Sequence, residues 1–210
     1  MRQLVLFFVC LFTTLQCAAG YDDIEAAFRR HKVVKDVIGL APPKLLKVAF
    51  DSGSEASLGN ILTPNDVKNA PIEVSWPAKS ERLYTLVMID PDAPSRANPS
   101  RREFLHWLVV NIPGGAVSLG DTLAEYVGAG PPEGTGLHRY VFIVYLQDGR
   151  LTDYSIGHIS KYTSSGRPMF MAQKFADKHE LGAPIAGNFY QAMYDSYVPI
   201  LHRQMSQGNN

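Results

Sequence analysis

Three apolar runs rich in β-branched and aromatic residues constrain the fold of this chain more than any other feature. They cover residues 83–89, 106–112 and 138–146, and loops rich in glycine and proline separate them. Such residues fit the pleated surface of a sheet, and runs of this length between turn residues are typical of strands. The sequence therefore predicts a mainly β protein built around a mostly antiparallel sheet.

Helical periodicity appears only towards the two ends of the chain, which predicts peripheral helices. Asp22 or Asp23 can cap a helix that runs to about Val37. Its apolar side would hold Ile24, Ala27, Phe28 and Val34. Two further helices are expected, over about 169–179 and about 197–207, since apolar residues recur there one turn apart.

Residues 1–20 have the features of a secretory signal peptide. Arg2 is followed by an apolar run over 4–15 and then by small residues, which predicts cleavage after Ala19 or Gly20. The alternative is an N-terminal anchor, but the run is short for crossing a bilayer. We therefore expect a secreted, extracellular protein without stable membrane insertion.

The rest of the chain, residues 21–210, is expected to form a single domain. No repeat, low-complexity tract or linker divides it, and an apolar share of 46% is enough for a sizeable core. Both cysteines, Cys10 and Cys17, lie in the predicted leader, so the mature chain would have no disulfide and no thiolate nucleophile. We expect it to be a monomer.

The charge balance argues against nucleic acid as a partner. The chain has 20 basic and 20 acidic residues, and loss of Arg2 with the leader leaves one excess negative charge. Proteins that bind nucleic acid carry a basic stripe or patch, and the basic clusters here are short.

Polar residues gather where these predicted strands begin or end. The motif DPDAPSR, which contains Asp90 and Asp92, follows the first run, while His106 and His138 begin the other two. Because side chains alternate along a strand, we expect His106 to share a face with Leu108 and Val110. By the same rule His138 would share a face with Tyr140, Phe142 and Val144. The sequence thus predicts a small pocket with an acid, two histidines and a tyrosine at its mouth.

Several motifs together resemble the phosphatidylethanolamine-binding protein family. They are, in order, LTP (62–64), SW (75–76), LYTLV, DPDAPSR, HWLVVNIPG (106–114), GAGPPEGTGLHRYVF (128–142) and DSYVP (195–199). The resemblance runs from about Lys44 to Leu201, and its secreted insect members are proposed odorant binders. It implies a large antiparallel sheet beside a smaller one, with peripheral helices, and a pocket for an anion such as a phospholipid head group.

Carried over residue by residue, the resemblance implies a ligand site without a catalytic residue, metal or cofactor. The implied ligand-binding residues are Asp90, Phe104, His106, Gly130, Pro132, His138, Tyr140 and, near the rim, Tyr197. Asp90 would orient the two histidines and favour their charged form. Asp92 would stabilise the loop in which it lies. The family often has Trp, His and Ser where this chain has Phe104, Leu105 and Ala129. The rim of this pocket would therefore be more apolar than in those members, and the resemblance does not determine which head group it prefers. The resemblance also implies cis peptide bonds at Ala93–Pro94 and Arg102–Glu103.

Two chemical alternatives to pure binding can be weighed from the residues. A His–Asp pair can act as a general base, and two histidines with an acid can hold a metal. However, there is no GxSxG elbow and no HExxH-like pair, so we predict no enzymatic activity. We predict a secreted carrier of a small anionic, amphipathic or hydrophobic ligand, such as a lipid or odorant. The alternative is a secreted serine protease inhibitor or another protein-binding regulator.

Overall fold

A five-stranded antiparallel sheet forms the centre of the fold. The computed structural model describes residues 21–209, and the predicted signal peptide, residues 1–20, lies outside them. The strands are, in chain order, β1 (Lys47–Ala49), β2 (Glu73–Ser75), β3 (Leu83–Asp90), β4 (Phe104–Pro113), β5 (Asp121–Ala124), β6 (His138–Gln147) and β7 (Ala186–Ala192). The large sheet has the order β5-β4-β3-β6-β7, and β1 and β2 pair in a small second sheet. The predicted fold class is confirmed.

The helices lie towards the chain ends, but the first is shorter than predicted. They are α1 (Tyr21–Arg30), α2 (Val33–Asp36), α3 (Ala172–Lys178) and α4 (Val198–Ser206), with 3-10 turns at Val117–Leu119 and Gln207–Asn209. The expectation of one N-terminal helix to about Val37 is wrong, because Lys32 and Lys35 have φ angles of 59° and 101°.

A distant arginine accounts for the early end of α1. The His31 carbonyl accepts hydrogen bonds from Arg139 Nη1 at 2.7 Å and Arg96 Nη2 at 3.0 Å. In a continuing helix this carbonyl would accept from the Lys35 amide. That amide instead donates to the carbonyl of Ile38 at 3.0 Å.

Both faces of the large sheet are covered, which explains why its strands read as nearly continuous apolar runs. One face packs against α1 and α3 through a cluster that includes Phe28, Val87, Leu108, Val141 and Ala176. The other packs against the small sheet through a second cluster that includes Val48, Met88, Trp107, Tyr140 and Tyr190. The site described below lies at one end of this second face.

The predicted face of His106 is wrong, because β4 contains a bulge at this residue. Met88 pairs with Trp107 while Ile89 pairs with Leu105, so His106 is the extra residue in β4. Leu108 and Val110 belong to the cluster on the helix side of the sheet, whereas the His106 ring meets Tyr140 on the other side. Bulges commonly re-aim a side chain next to a functional site. The corresponding prediction for β6 is confirmed, because Tyr140, Phe142 and Val144 do share a face.

Candidate ligand-binding site

A cavity of about 270 Å³ opens at the end of β3 and β6, beneath helix α4. Seven of the eight predicted site residues line it: Asp90, Phe104, His106, Gly130, Pro132, His138 and Tyr140. Further lining residues come from the loop after β3, from Ser164 and from α4. The structure therefore brings almost the whole predicted set to one place.

Tyr197 is the exception among the predicted residues. It packs beside Phe104, Val127, Leu201 and Met205 in a small apolar cluster. Its side chain borders a neighbouring surface groove and does not line the cavity. Its contact with the site is therefore indirect, through residues that line the cavity wall.

Asp90 is the acid of the cavity and pairs with one histidine only. Its Oδ2 accepts a hydrogen bond from His138 Nδ1 at 2.8 Å, and its Oδ1 accepts from the Asp92 amide at 2.7 Å. Burial raises the pKa of the Asp90 carboxyl, and the hydrogen bond from His138 opposes that rise. The expectation that Asp90 orients both histidines is wrong, since His106 has a different partner.

Thr135 fixes the other nitrogen of His138. The Thr135 hydroxyl lies 2.7 Å from the Pro132 carbonyl oxygen and 2.9 Å from His138 Nε2. A hydroxyl has one proton, and a carbonyl oxygen can only accept. Because Thr135 donates to Pro132, His138 Nε2 must carry a proton and donate it to the Thr135 hydroxyl oxygen. The other nitrogen, Nδ1, shares a proton with Asp90 Oδ2.

His106 is held in the neutral state by its surroundings. Its Nδ1 donates to the Val127 carbonyl at 2.9 Å, so its Nε2 is the unprotonated nitrogen. Burial, together with the smaller effect of the Arg167 charge, lowers the pKa of this imidazole to about 3. The ring stands edge-on to Tyr140, with 5.1 Å between centroids. His106 therefore offers an acceptor rather than a charged donor.

The Gly130 backbone links the cavity floor to the C-terminal helix. Its amide donates to the Tyr140 hydroxyl at 3.2 Å, and its carbonyl accepts from His202 Nε2 at 2.9 Å. A Cβ at position 130 would lie 2.9 Å from Leu201 Cδ2, so the end of the Leu201 side chain would have to shift to make room for a larger residue. Burial raises the pKa of Tyr140 far above the ordinary range of tyrosine.

The roof of the cavity is formed by residues that sequence reasoning did not assign to it. Helix α4 contributes Leu201, His202, Met205 and Ser206, and the loop after β3 contributes Ala93, Pro94 and Arg101. The periodicity of Leu201 and Met205 predicted a helix with an apolar side. Nothing in that pattern indicated which surface the helix would cover.

Asp92 pairs mainly with Arg139 on the neighbouring strand β6, and its expected contact within its own loop is a longer approach to Arg102 Nη2, at 3.6 Å. Its carboxylate accepts from Arg139 Nε at 2.8 Å, from Nη2 at 2.6 Å and from the Arg139 amide at 2.9 Å. Arg139 Nη2 also reaches Asp36 at 2.9 Å. The hydrogen bonds and charge of Arg139 outweigh burial and lower the pKa of Asp92. The implied cis peptide bonds at Ala93–Pro94 and Arg102–Glu103 are both present in this region.

Arg167 is a second buried arginine, and it holds the backbone of β4 in place next to the cavity. Its guanidinium donates to the carbonyls of Thr163, Leu105, Glu125 and Ser160, each at 2.9 Å. Burial lowers the pKa of Arg167 to about 10, and the charge of Glu125 opposes this only in part. These bonds tie β4 to the loop that carries Ser164.

Comparison with known proteins identifies the family. The family model described as phosphatidylethanolamine-binding protein matches residues 52–191, which is more than half of the chain. The chain belongs to the phosphatidylethanolamine-binding protein family. A Drosophila melanogaster family relative named "Putative odorant-binding protein A5" is 35% identical over 205 residues, which cover 98% of this chain and 95% of the relative.

Solved structures of family members agree with the fold. The solution structure of CG7054 is 49% identical, covers 82% of this chain and 97% of its own, and has a TM-score of 0.67. A carboxypeptidase Y inhibitor, crystallised with its cognate proteinase, is 26% identical and has a TM-score of 0.71. That match covers 86% of this chain and 98% of the inhibitor.

The cavity combines apolar walls with the Asp90–His138 pair, the His106 acceptor and the Tyr140 hydroxyl.

Within residues 21–209, no three His, Cys, Asp or Glu side chains come together in a way that could hold a metal ion. The helices of that same part of the chain are all too short or too polar to cross a bilayer.

Proposed function

We propose that this chain is a secreted, non-enzymatic binding protein that carries small amphipathic or hydrophobic ligands, such as lipids or odorants, in extracellular fluid. The head group, an anion or phospholipid-like group, would enter the cavity between Asp90, His106, His138 and Tyr140. The tail would lie along the apolar wall. Secretion would follow from cleavage of the leader after Ala19 or Gly20.

One observation carries this proposal: a few convergent polar groups stand within an otherwise apolar cavity. Phe104, Pro132, Leu201 and Met205 form the apolar part of the lining. Pockets of this composition are typical of small-molecule sites, in which polar groups fix orientation and apolar walls supply affinity. Each buried methylene contributes about 0.8 kcal/mol, so a tail is needed for useful affinity. The name of the Drosophila relative points to the same kind of ligand.

The test is binding of a fluorescent apolar probe, N-phenyl-1-naphthylamine, and its displacement by decanol. Met205→Trp should fill the cavity and abolish probe fluorescence. The matched control is Ile200→Trp, because Ile200 lies on the same helix with half of its surface exposed and does not line the cavity. Equal probe binding by the two variants would contradict the proposed site.

A second candidate function is inhibition of a secreted serine protease. The likeness to the carboxypeptidase Y inhibitor favours it, since that protein is 26% identical to this chain and was crystallised with its cognate proteinase. The two functions separate in one comparison of the same preparation. A carrier binds the probe without slowing any member of a serine protease panel, whereas an inhibitor lowers the rate of one protease at a molar ratio near one.

A further inference from the structure

The small sheet has a strand edge, on β2, that no other strand of residues 21–209 covers. Strands β1 and β2 pair in a register that sets Val48 opposite Val74. The Val48 carbonyl accepts from the Ala56 amide at 3.0 Å, on the side of β1 that faces away from β2. Val48 and Val74 are therefore a non-hydrogen-bonded pair, so the N–H and C=O of Val74 point outwards from the sheet.

This outer edge of β2 borders a groove of about 390 Å³. Trp107 and Val109 from β4, together with Val117, give the groove an apolar lining. Ile72, directly before β2, lines it as well and has 72% of its surface exposed. A strand edge with unpaired backbone groups is a template for a further extended chain, and the adjacent groove can receive the side chains of that chain.

The groove continues towards helix α4. A second groove, of about 450 Å³, shares Ala70, Trp107 and Thr122 with the first, so the two are one continuous surface feature. Tyr197 lines its far end. Leu201 of α4 lies between this long groove and the ligand cavity, since it lines both.

The end of the groove near α4 carries two lysines whose partners in the described part of the chain are uncharged. The Lys68 ammonium donates to Asn65 Oδ1 at 3.3 Å, and the Lys161 ammonium lies 5.4 Å from the centre of the Tyr162 ring. Both lysines line the groove. Glu125, which also lines it, already accepts a hydrogen bond from the Lys161 amide at 2.8 Å. This end of the groove therefore suits an acidic residue of a partner.

We propose that the groove binds an extended peptide segment of a partner protein. The segment would run antiparallel to β2, exchange two backbone hydrogen bonds with Val74 and place an apolar side chain over Trp107. Because residues 68–70 precede β2, such a segment would reach Lys68 and Lys161 with an acidic residue near its C-terminal end. A small apolar ligand would leave the backbone groups of Val74 unpaired, whereas a peptide satisfies them. This inference does not depend on the proposed carrier function.

Titration of ¹⁵N-labelled protein with three acetylated peptide amides tests the inference. The peptides are TVTVTGDD, TVTVTGKK and a form of TVTVTGDD in which both valines are N-methylated. The chain has two tryptophans, so Trp76→Phe assigns the indole N–H signal of Trp107. We expect TVTVTGDD to shift that signal and the Val74 amide signal saturably. TVTVTGKK should bind at least tenfold more weakly, which is the scale of one charge-assisted hydrogen bond, and the N-methylated peptide should cause no shift because it cannot pair with β2.

Three variants separate the parts of the proposed contact. Val74→Pro removes the outward N–H at a position where an edge strand tolerates proline, and it should abolish binding of TVTVTGDD. Lys161→Gln should weaken that binding severalfold. Lys174→Gln, the same charge change at an exposed residue of α3 that does not line the groove, should leave it unchanged.

Three results would overturn the inference. The first is that TVTVTGDD shifts neither the Val74 amide nor the Trp107 indole signal. The second is equal binding of the plain and N-methylated peptides, which would mean an apolar site without strand pairing. The third is a Val74 signal that moves with protein concentration while the mass in sedimentation doubles, because a second copy of the chain would then occupy the edge.

Discussion

Asp90 and Asp92 stand two residues apart in one motif, are both buried, and have opposite surroundings. Asp90 lies on the cavity side of the sheet and pairs with His138, a group that can give up its proton. Asp92 lies on the helix side and pairs with Arg139, whose charge is permanent. The pKa of the first carboxyl is raised and that of the second is lowered.

The comparison shows that the type of partner, more than burial, separates the proposed binding residue, Asp90, from the structural one, Asp92. Burial imposes the same kind of desolvation penalty on both aspartates. Asp92, however, accepts two hydrogen bonds from the guanidinium of Arg139 and a third from the backbone amide of the same residue. Removing the charge of Asp92 would leave Arg139 with one remaining carboxylate, Asp36. Removing the charge of Asp90 would leave a histidine that can become neutral.

Asp92→Asn should therefore have the largest effect on stability. Breaking a buried ion pair by removing one partner costs about 3–5 kcal/mol, and in a protein of this size that corresponds to a fall in Tm of about 10 °C. Thermal melts followed by circular dichroism measure it. The control is Asp148→Asn, because Asp148 is 94% exposed and pairs with Arg82 at the surface. If both variants melt at the wild-type temperature, the structural role assigned to Asp92 is wrong.

Glu103 sharpens the comparison, because it is a buried acid that accepts its hydrogen bond from a backbone amide and not from a charged side chain. It accepts from the Ala172 amide at 2.8 Å, and burial raises its pKa to about 7. The folded protein thus holds the proton more tightly than the unfolded chain, whose Glu pKa is near 4.5. The stability contribution is complete below pH 4.5 and is lost as pH rises through 7.

Glu103→Gln should remove this loss and stabilise the protein at alkaline pH. The expected gain is on the order of 3 kcal/mol at pH 8, and it should disappear at pH 4.5. Urea unfolding at the two pH values measures it. Glu133→Gln, which makes the same charge change at an exposed position, should show no such dependence. A gain of equal size at both pH values would contradict the explanation.

Asp90→Asn should destabilise the protein less than Asp92→Asn. The loss of one charge-assisted hydrogen bond costs about 1.5–3 kcal/mol, whereas breaking the buried Asp92–Arg139 pair costs about 3–5 kcal/mol. Urea unfolding at pH 7 gives the free energies of unfolding of both variants side by side. A loss for Asp90→Asn equal to that for Asp92→Asn would remove the distinction between the two aspartates.

Much of this arrangement could be predicted from sequence, where the strands are regular. The run from His138 to Val144 alternates without interruption, so the shared face of Tyr140, Phe142 and Val144 follows from a period of two. The face of His106 could not be predicted in this way. A bulge inserts one residue, and alternation within a single strand contains no sign of it.

Contacts between distant segments explain the other failures. Helix α1 ends where Arg139, 108 positions along the chain from His31, takes the His31 carbonyl. The covering of the cavity by α4 depends on the His202 contact with Gly130, 72 positions away. Local periodicity can predict that a helix forms, but its docking surface depends on the assembled sheet.

The prediction with the smallest effect concerns His106, whose protonation state should not change near neutral pH. Its pKa of about 3 lies below the ordinary value of 6.5, so the folded state keeps the neutral ring. That contribution to stability is present above pH 6.5 and is lost as pH falls towards 3. In ¹⁵N-labelled histidine spectra, the His106 signals, assigned by their loss in His106→Ala, should keep the Nδ1–H pattern from pH 5 to pH 8. The same ring in urea-unfolded protein should titrate near 6.5. An inflection of the folded signal within that range would mean that the cavity offers a charged imidazolium at His106, which would contradict the neutral acceptor described here.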